Sequence, residues 1–313
     1  MSESNCKICL VVIFNYRFDQ NLDKLEKLYS SRFSNRYYLM PFYDGDIPNV
    51  IPVYENCSYF QGYFAQGLPH FYNDNFTHYV FIADDLILNP LVNEKNIVTK
   101  LHIDNNSAYL PRRQPLNTIS NYWMHTISSI NALKNAQAKH YPFEGLLDEL
   151  PTFDEAATLL ERHGIDFQNH KISFSNLWTH LSGNLDLLHK LWVFIKYSVE
   201  NRFNYRSVRL PYPLLRGYSD FVVVPAESIM KFSKFCGVFS SMQLFVETAI
   251  PTALYLSCKS IKMQHQHFMG LEFWDKNELS KVAQECNYNV NILFEKFNSF
   301  LHIHPVKLTK WEV

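Results

Sequence analysis

The chain has 313 residues, 47% of them apolar, which is enough to bury a large core in one α/β domain or in a domain with an insertion. Its 29 basic and 30 acidic residues give a formal net charge of −1, so bulk electrostatics do not favour nucleic acid or an acidic membrane surface as a partner. Its apolar stretches are much shorter than the roughly 20 residues of a membrane span, and six scattered cysteines without a signal-peptide pattern predict a reduced, cytoplasmic protein.

The first half of the chain alternates predicted strands with predicted helices. Residues 8–14 form a continuous β-branched run of the kind that is buried on both faces of a sheet, and leucines recur at helical spacing over 21–30. Further strands are predicted at 36–41, 50–54 and 79–82. This alternation favours an α/β fold with a Rossmann-type, mostly parallel sheet flanked by helices.

Helices dominate the middle of the chain, and sheet-like segments return after it. The pattern changes after a predicted strand at 107–111, which indicates a helical insertion over about residues 116–205. The helices predicted within it are 118–139, 153–163 and 177–199. The elements predicted after it are a strand within 218–225, helices at 227–235 and 241–258, a strand at 260–263 and a helix at 277–298.

Two adjacent carboxylates stand where the apolar strand 79–82 ends. Asp84 and Asp85 repel each other and lose solvation there, and a hard divalent cation held between them would remove both costs. In open α/β sheets, ligands lie beyond the carboxyl ends of the strands. We therefore predict a ligand site at this strand end. The alternative is that one Asp caps a following helix and the other faces water.

The order of four separated pieces resembles that of the GT-A glycosyltransferases. These pieces are the first strand, the Asp pair that closes a later strand, a helix carrying Glu247, and a terminal segment with His and Lys. The resemblance covers the whole chain as an arrangement of elements, and only short segments match as motifs. It implies a single GT-A-like catalytic domain over residues 1–313 that includes the helical insertion.

The resemblance assigns a metal and diphosphate site. In that superfamily an Asp-x-Asp-like motif holds Mg²⁺ or Mn²⁺ against the diphosphate of a nucleotide sugar, and the matching residues here are Ala83, Asp84 and Asp85. Ala83 replaces the first Asp of the motif. Since the last Asp usually contacts the metal, the resemblance makes Asp85 the leading ligand and Asp84 a second ligand or a ribose contact.

Histidines and a lysine near the end of the sequence are the other candidates for this site. In the glycogenin-like branch a final His ligates the metal and a nearby Lys neutralises the diphosphate, and His304 and Lys307 match those roles without that branch's intervening Gly. His302 shares a face with His304 if the segment is extended. His267, in the pair 265–267, is a rival, so the identity of the metal histidine stays open.

The segment after the first strand is where GT-A enzymes bind the nucleotide. The resemblance implies that Phe14, Asn15, Tyr16 and Arg17 lie at the donor, with Asn15 reading a base edge, Tyr16 stacking on the base and Arg17 touching phosphate. Asp44, at a turn after the second strand, is a further ribose or base contact. The alternative is an ordinary polar turn before a helix.

Two acidic residues are candidates for the acceptor side and the sugar. Glu247 resembles the carboxylate that deprotonates the incoming hydroxyl, and Asp220, in a loop with a glycine, would hydrogen-bond sugar hydroxyls. The alternatives are a solvent-facing helical Glu and an ordinary turn. The Arg112–Arg113 pair suits an anionic group of the donor or the acceptor, or is surface charge.

The resemblance predicts a nucleotide-sugar-dependent, metal-dependent glycosyltransferase of surface polysaccharide or glycolipid biosynthesis. Its partners would be a nucleotide sugar and a saccharide or glycolipid acceptor, with peripheral association at the inner membrane face, no nucleic acid and an open oligomeric state. One alternative is a catalytically silent GT-A-like binding or scaffold protein, which Ala83 supports. The other is a sugar nucleotidyltransferase, which would carry a Gly-rich phosphate loop after the first strand, whereas residues 14–17 contain no Gly.

Overall fold

The computed structural model describes most of the chain. The described residues are 7–119, 123, 125–138, 145–167, 171–173, 207–265 and 268–313. The predicted helix 177–199, much of the predicted insertion and the candidate His267 lie outside them. The predicted fold class is confirmed, because the described residues form a mixed α/β structure with a mainly parallel central sheet flanked by helices.

The described strands and helices are numbered in chain order. The strands are β1 (Ile8–Ile13), β2 (Asn35–Pro41), β3 (Val50–Val53), β4 (His78–Ala83), β5 (Ile87–Leu88), β6 (Ser107–Tyr109), β7 (Arg113–Pro115), β8 (Lys171–Ser173), β9 (Ser207–Arg209), β10 (Leu215–Gly217), β11 (Phe221–Pro225), β12 (Ser260–Lys262), β13 (Gly270–Glu272) and β14 (His302–His304). The helices are α1 (Leu22–Tyr29), α2 (Gln61–Phe71), α3 (Ile97–Lys100), α4 (His125–Gln137), α5 (Phe153–Glu161), α6 (Ala226–Ser241), α7 (Val246–Ser257), α8 (Lys276–Glu285) and α9 (Val290–Lys296).

Seven strands form the central sheet, in the order β12-β6-β11-β4-β1-β2-β3. Only β11 runs against its two neighbours, β4 and β6. The strands β1, β2, β3 and β4 are therefore parallel, and β6 points the same way as β4. Because of this, the residues that follow β1, β4 and β6 and the residue that precedes β11 all lie at one edge of the sheet, where open α/β sheets bind ligands.

Strand β1 lies at the centre of the core. Its side chains alternate between the two faces, so Cys9 and Val11 join the core on the side of α2, α6 and α7, whereas Leu10 and Val12 join the core on the side of α1. This explains the continuous apolar run in the sequence. On the first side the Phe64 ring stacks on the Phe232 ring at 5.5 Å, and each buried Phe contributes about 1.5–3 kcal/mol by leaving water.

A second, three-stranded sheet returns the chain to the Asp pair. It has the order β13-β14-β5, and β14 pairs antiparallel with β5, which begins two residues after Asp85. The N–H of Val306 donates to the carbonyl of Asp85 at 2.6 Å. The Nζ of Lys24 on α1 donates to the carbonyls of Leu308 (2.6 Å) and Trp311 (2.7 Å), which fixes the segment after β14.

The structure corrects two of the predicted helices and adds two strands. The helix predicted over 277–298 is two helices, α8 and α9, because Asn287 and Tyr288 between them adopt positive φ of 51° and 53° and the Asn289 side chain caps α9. The helix predicted at 227–235 continues to Ser241 as α6. The strands β7 and β10 pair with each other antiparallel and were not predicted. None of the described helices is long and apolar enough to cross a membrane.

Candidate functional site

Asp84 lies at the end of β4 with its side chain turned into the protein. It is 4% exposed, and its carboxylate accepts hydrogen bonds at 3.4 Å from the Asn15 N–H and from the Asn21 side chain. Burial, and then the charge of Asp85, raise the pKa of Asp84 to about 7, against the effect of these hydrogen bonds. No helix begins within the described residues 86–96, so neither Asp is a helix cap.

Asp85 meets the terminal segment of the chain. Its Oδ1 lies 3.3 Å from Nε2 of His304, and this oxygen is buried and makes no well-aligned hydrogen bond to any described residue. Burial alone would lower the pKa of His304, but Asp85, Asp220 and Glu272 raise it above its usual value. Asp85 and His304, which are 219 positions apart in the sequence, therefore form one polar pair at the edge of the sheet.

His302 has a different environment although it shares a face with His304. Its ring is fully buried, stacks on Tyr218 at 5.8 Å and meets Phe221 edge-on at 5.5 Å. A Cβ added to Gly270 would lie 2.2 Å from the ring, so backbone covers its far edge. Burial lowers the pKa of His302 to about 3. The packing thus brings His304, and not His302, to Asp85.

A small cavity of about 150 Å³ opens beside the Asp pair. It is formed by the segment after β1, the Asp pair and the segment after β14. Its lining residues are Asn15, Tyr16, Phe18, Asn21, Asp84, Asp85, Lys307, Leu308 and Thr309. Lys307 is exposed, so its ammonium can reach an anion that binds next to the carboxylates. The structure therefore brings together Asn15, Tyr16, the Asp pair and Lys307, which lie in three separate segments of the sequence.

Phe14, Arg17 and Asp44 were also predicted at the donor, but none of them lines the small cavity. Phe14 is fully buried and packs edge-on against Tyr38 at 6.3 Å, so its side chain offers no surface to a ligand. Arg17 is ion-paired with Asp19 at 2.9 Å and with Asp44 at 2.6 Å, all three being exposed to solvent. Arg17 and Asp44 thus contact each other at the surface rather than standing as separate ligand contacts.

A second cavity, of about 740 Å³, is called the arginine cavity here. Its lining residues are Arg112, Arg113, Gln114, Trp123, His125, Arg216, Gly217, Tyr218, Glu247 and Trp274. Two of them connect it to the Asp85–His304 pair, because the His304 ring lies 5.8 Å from the Tyr218 ring and 6.3 Å from the Trp274 ring. The two cavities are therefore neighbours.

Glu247 is in the first turn of α7 and lines the arginine cavity. Burial, and then the charge of Asp220, raise its pKa to about 7, whereas Arg112 and Arg216 oppose the rise and Glu272 adds to it. A carboxylate of this kind can accept a proton from a hydroxyl near neutral pH.

Asp220 immediately precedes β11, and its carbonyl accepts from the Ala83 N–H at 2.9 Å, which places it beside the end of β4. Burial raises its pKa to about 6, while His304 opposes and Asp85 adds to the rise. The charge of Asp85 thus acts on Asp220, and the charge of Asp220 acts on Glu247.

Comparisons with known proteins leave the family open. No protein-family model matches the chain, and no curated protein matches it. Among solved structures, the chain is similar to the X-ray structure of the mannosyltransferase Ktr4p from S. cerevisiae, with 9% identity, a TM-score of 0.32, and coverage of 84% of this chain and 71% of that chain. A TM-score this low carries no argument about function, so the functional assignment depends on the site itself.

Sequence reasoning missed several residues of the site, among them Asn21 beside Asp84 and four residues in or next to the arginine cavity. Glu272 and Trp274 lie at the end of β13 and just after it, and the Trp274 indole N–H donates to Glu272 Oε2 at 3.1 Å. Trp123 and His125 lie before and at the start of α4, and the His125 ring stacks on Phe245 at 3.4 Å. None of them follows a predicted strand of the central sheet, and none is part of a recognisable motif, so no local signal marked them.

Proposed function

We propose that this protein is a glycosyltransferase that moves a sugar from a nucleotide-sugar donor to a hydroxyl group of a saccharide or glycolipid acceptor. The observation that carries the proposal is the position of the Asp85–His304 pair between two cavities. On one side are Asn15, Asp84 and Lys307, and on the other is Glu247. A site for an anionic leaving group thus adjoins a site with a proton acceptor, as transfer of a glycosyl group to a hydroxyl requires.

The small cavity would take the diphosphate end of the donor. Lys307 would neutralise phosphate charge, the Asn15 side chain would hydrogen-bond the nucleotide, and the exposed Tyr16 ring, with 61% of its surface in solvent, would stack on the base. Phe14 has no part in this proposal, because it is buried. Arg17 contributes less than Lys307, since two carboxylates already compensate its charge.

The Asp85–His304 pair has the chemistry of a divalent-cation site. Mg²⁺ is commonly held by one or two protein carboxylates together with water and substrate phosphates, and Mn²⁺ accepts imidazole as well. The described residues contain no group of three or more His, Cys, Asp or Glu that could hold a metal alone. The buried Asp85 Oδ1 without a well-aligned hydrogen bond fits a cation completed by the donor. Bound there by Asp85 and His304, such an ion would neutralise charge on the departing diphosphate.

The acceptor would enter the arginine cavity. Its hydroxyl oxygen would form the new bond to the anomeric carbon while the bond from that carbon to the diphosphate oxygen breaks and the electron pair leaves with the diphosphate. In a transfer that inverts configuration, Glu247 would take the hydroxyl proton, which its raised pKa favours. Asp220, whose charge acts on both His304 and Glu247, would hydrogen-bond hydroxyls of the donor sugar.

Ligand-dependent thermal unfolding tests the donor half of this proposal. The wild type and Asp85→Ala are unfolded with each of a panel of nucleoside diphosphates, with and without Mn²⁺, and Asp148→Ala, an exposed carboxylate that lines neither cavity, serves as the matched control. A ligand at 100 times its Kd stabilises the native state by about 2.7 kcal/mol, which raises the melting temperature measurably.

We expect one diphosphate to stabilise the wild type and the control in the presence of Mn²⁺, and to lose this effect in Asp85→Ala. If no diphosphate stabilises the wild type, the donor site does not exist and the proposal fails. If a diphosphate binds but the matching nucleotide sugar is neither hydrolysed nor transferred, the catalytically silent binding protein is the better assignment, in line with Ala83 in the motif.

A further inference from the structure

We infer that the acceptor carries an oxyanion, either a carboxylate or a phosphate, which the guanidinium groups of Arg112, Arg113 and Arg216 bind in the arginine cavity. That this anion belongs to the acceptor rests on the proposed function. The anion site itself rests on the geometry of the cavity.

The pairing of two short strands gathers the three arginines. Strands β7 and β10 pair antiparallel, with Gly217 opposite Arg113 and Arg216 opposite Gln114. Arg112 precedes β7, and its carbonyl accepts from the N–H of Tyr218 at 3.2 Å. The three guanidinium groups therefore line one cavity although Arg216 lies about a hundred residues from the other two.

Each guanidinium is held against an aromatic ring. Arg112 lies over Tyr218 at 5.1 Å, Arg113 over Tyr255 at 5.7 Å and Arg216 over Trp123 at 5.4 Å. The negative face of an aromatic ring attracts a guanidinium, whose N–H groups can still form paired hydrogen bonds to a carboxylate or phosphate. These contacts restrain three planar donors before any ligand arrives, which reduces the entropic cost of binding.

Polar contacts fix two of the side chains further. The Arg113 Nε donates to the Tyr255 hydroxyl at 3.1 Å, and an Nη of Arg216 donates to Gln114 Oε1 at 2.8 Å. Arg112 is ion-paired with Glu272. Glu247 is the one carboxylate among the described residues that line the arginine cavity, and together with Glu272 it sets two carboxylates against the three guanidinium groups.

The three guanidinium groups in one cavity favour an anionic ligand over a neutral sugar. A neutral molecule would displace water from the guanidinium groups and offer them only uncharged acceptors, which costs free energy. An oxyanion would instead form charge-assisted hydrogen bonds with the guanidinium groups. Trp123 and Trp274 line the same cavity and offer flat apolar faces to the rest of a saccharide. The chemistry therefore fits an acidic saccharide, such as one with a uronic acid or a phosphorylated sugar.

The location separates this anion from the donor diphosphate. The diphosphate is assigned to the small cavity with Lys307 and the Asp pair, whereas the arginines surround Glu247, the proposed proton acceptor for the incoming hydroxyl. Strands β7 and β10, which carry two of the arginines, form a sheet of their own, apart from β1 and β4 in the central sheet. An anion among the arginines would accordingly belong to the molecule that supplies the hydroxyl.

The experiment measures binding of three probes to the full chain by calorimetry and by thermal unfolding. The probes are glucuronate for a carboxylate, glucose 6-phosphate for a phosphate and glucose as the neutral control, each with and without the nucleoside diphosphate that binds best. The variants are Arg113→Gln and Arg216→Gln, and Arg209→Gln, an exposed arginine on β9 outside the cavity, is the matched control. Arg112→Gln, whose side chain is 57% exposed, replaces either test variant if that variant does not fold.

We expect one acidic probe to bind and glucose not to bind. Each cavity variant should weaken binding of the acidic probe by about 10- to 100-fold, which is the loss typical of a hydrogen bond to a charged group. Binding of the diphosphate should be unchanged. The acidic probe that binds identifies the source of the oxyanion as a carboxylate or a phosphate. Arg209→Gln should behave as the wild type.

Four results would overturn the inference, and they differ from failure of the proposed function. If the diphosphate binds and both acidic probes do not, the anionic acceptor is wrong while the transferase stands. If the cavity variants weaken the diphosphate instead, the arginines belong to the donor. If inorganic phosphate, added as a fourth probe, binds as tightly as glucose 6-phosphate, the cavity binds anions without recognising a saccharide. If an acidic probe binds but no diphosphate does, the acceptor role falls together with the proposed function.

Discussion

The two cavities differ in charge and are built in different ways: the small cavity beside the Asp pair is the proposed donor half of the site, and the arginine cavity is the proposed acceptor half. At the carboxyl ends of β1 and β4, Asp84 and Asp85 come directly after the buried strand β4, and the segment after β14 completes the site. In the other half, arginines stand on two three-residue strands outside the main sheet, held by aromatic rings. The first half is fixed by the core of the protein and the second by local side-chain contacts. A substitution should therefore act on donor-type or acceptor-type ligands according to the half in which it lies.

The largest effect is expected for Glu247→Gln. If Glu247 accepts the hydroxyl proton, the glutamine amide that replaces it cannot do so. The rate of transfer should then fall by about 10²- to 10⁴-fold while diphosphate binding is retained. Initial rates with the best nucleotide sugar and an acidic acceptor, together with the diphosphate Kd, measure this. Glu278→Gln, an exposed glutamate in the first turn of α8, is the matched control.

The same variant should be more stable than the wild type at alkaline pH. The pKa of Glu247 in the native state is about 7 and its usual value is 4.5, so the native state holds this proton more tightly than the unfolded state. The stability that this group contributes is complete below pH 4.5 and is lost as the pH rises through 7, because burial, together with Asp220 and Glu272, disfavours the new charge more than Arg112 and Arg216 attract it.

Glu247→Gln should therefore gain about 1–3 kcal/mol at pH 8 and nothing at pH 4. Denaturant unfolding at the two pH values measures the difference. A loss of stability at pH 8 would contradict the electrostatic description of the cavity, and unaltered transfer would contradict the role of Glu247.

The two halves also differ in how far they can be predicted from the sequence. The α/β fold and the Asp pair follow from long apolar strands, because a buried strand and the polar residues at its end leave a pattern that is local in sequence. Strands β7 and β10 are three residues long, too short to show any periodicity, so the meeting of Arg113 with Arg216 could not be predicted. Alternation along a strand likewise placed His302 and His304 on one face, but only packing around Gly270 and Tyr218 distinguishes them.

Variants of the two histidines test whether His304, and not His302, binds the cation beside Asp85 in the donor half. His304→Gln should weaken Mn²⁺-dependent diphosphate binding by at least about tenfold, since it removes a proposed ligand beside Asp85. His302→Leu should retain that dependence, because its buried ring contacts Tyr218 and Phe221 instead of the Asp pair. Calorimetric titration with and without Mn²⁺ compares the two variants. Loss of the Mn²⁺ dependence in a correctly folded His302→Leu, with His304→Gln unaffected, would reverse the assignment.

Gly217→Ala should damage the acceptor half alone. An added Cβ would lie 2.6 Å from the Arg112 carbonyl oxygen and 2.8 Å from the Pro251 ring, so β10 must move away from β7. We expect a loss of about 1–3 kcal/mol in stability and weaker binding of the acidic probe, with diphosphate binding intact. Gly237→Ala, within α6 and near only the Ala65 side chain, is the control with a smaller expected change. Equal losses of both ligands would show that the halves are coupled.

The smallest effect is expected at Arg17, for which the resemblance to GT-A enzymes implies a phosphate contact. Its ion pairs with Asp19 and Asp44 are exposed to solvent, and exposed pairs contribute little to stability, so Arg17→Gln should leave the melting temperature unchanged within error. Its diphosphate affinity should fall less than that of Lys307→Gln, because Lys307 lines the small cavity and Arg17 does not. Side-by-side titrations of the two variants decide the point. If Arg17→Gln weakens the diphosphate as much as Lys307→Gln does, Arg17 must exchange its carboxylates for phosphate when the donor binds, and the donor half would extend across the ends of β1 and β2.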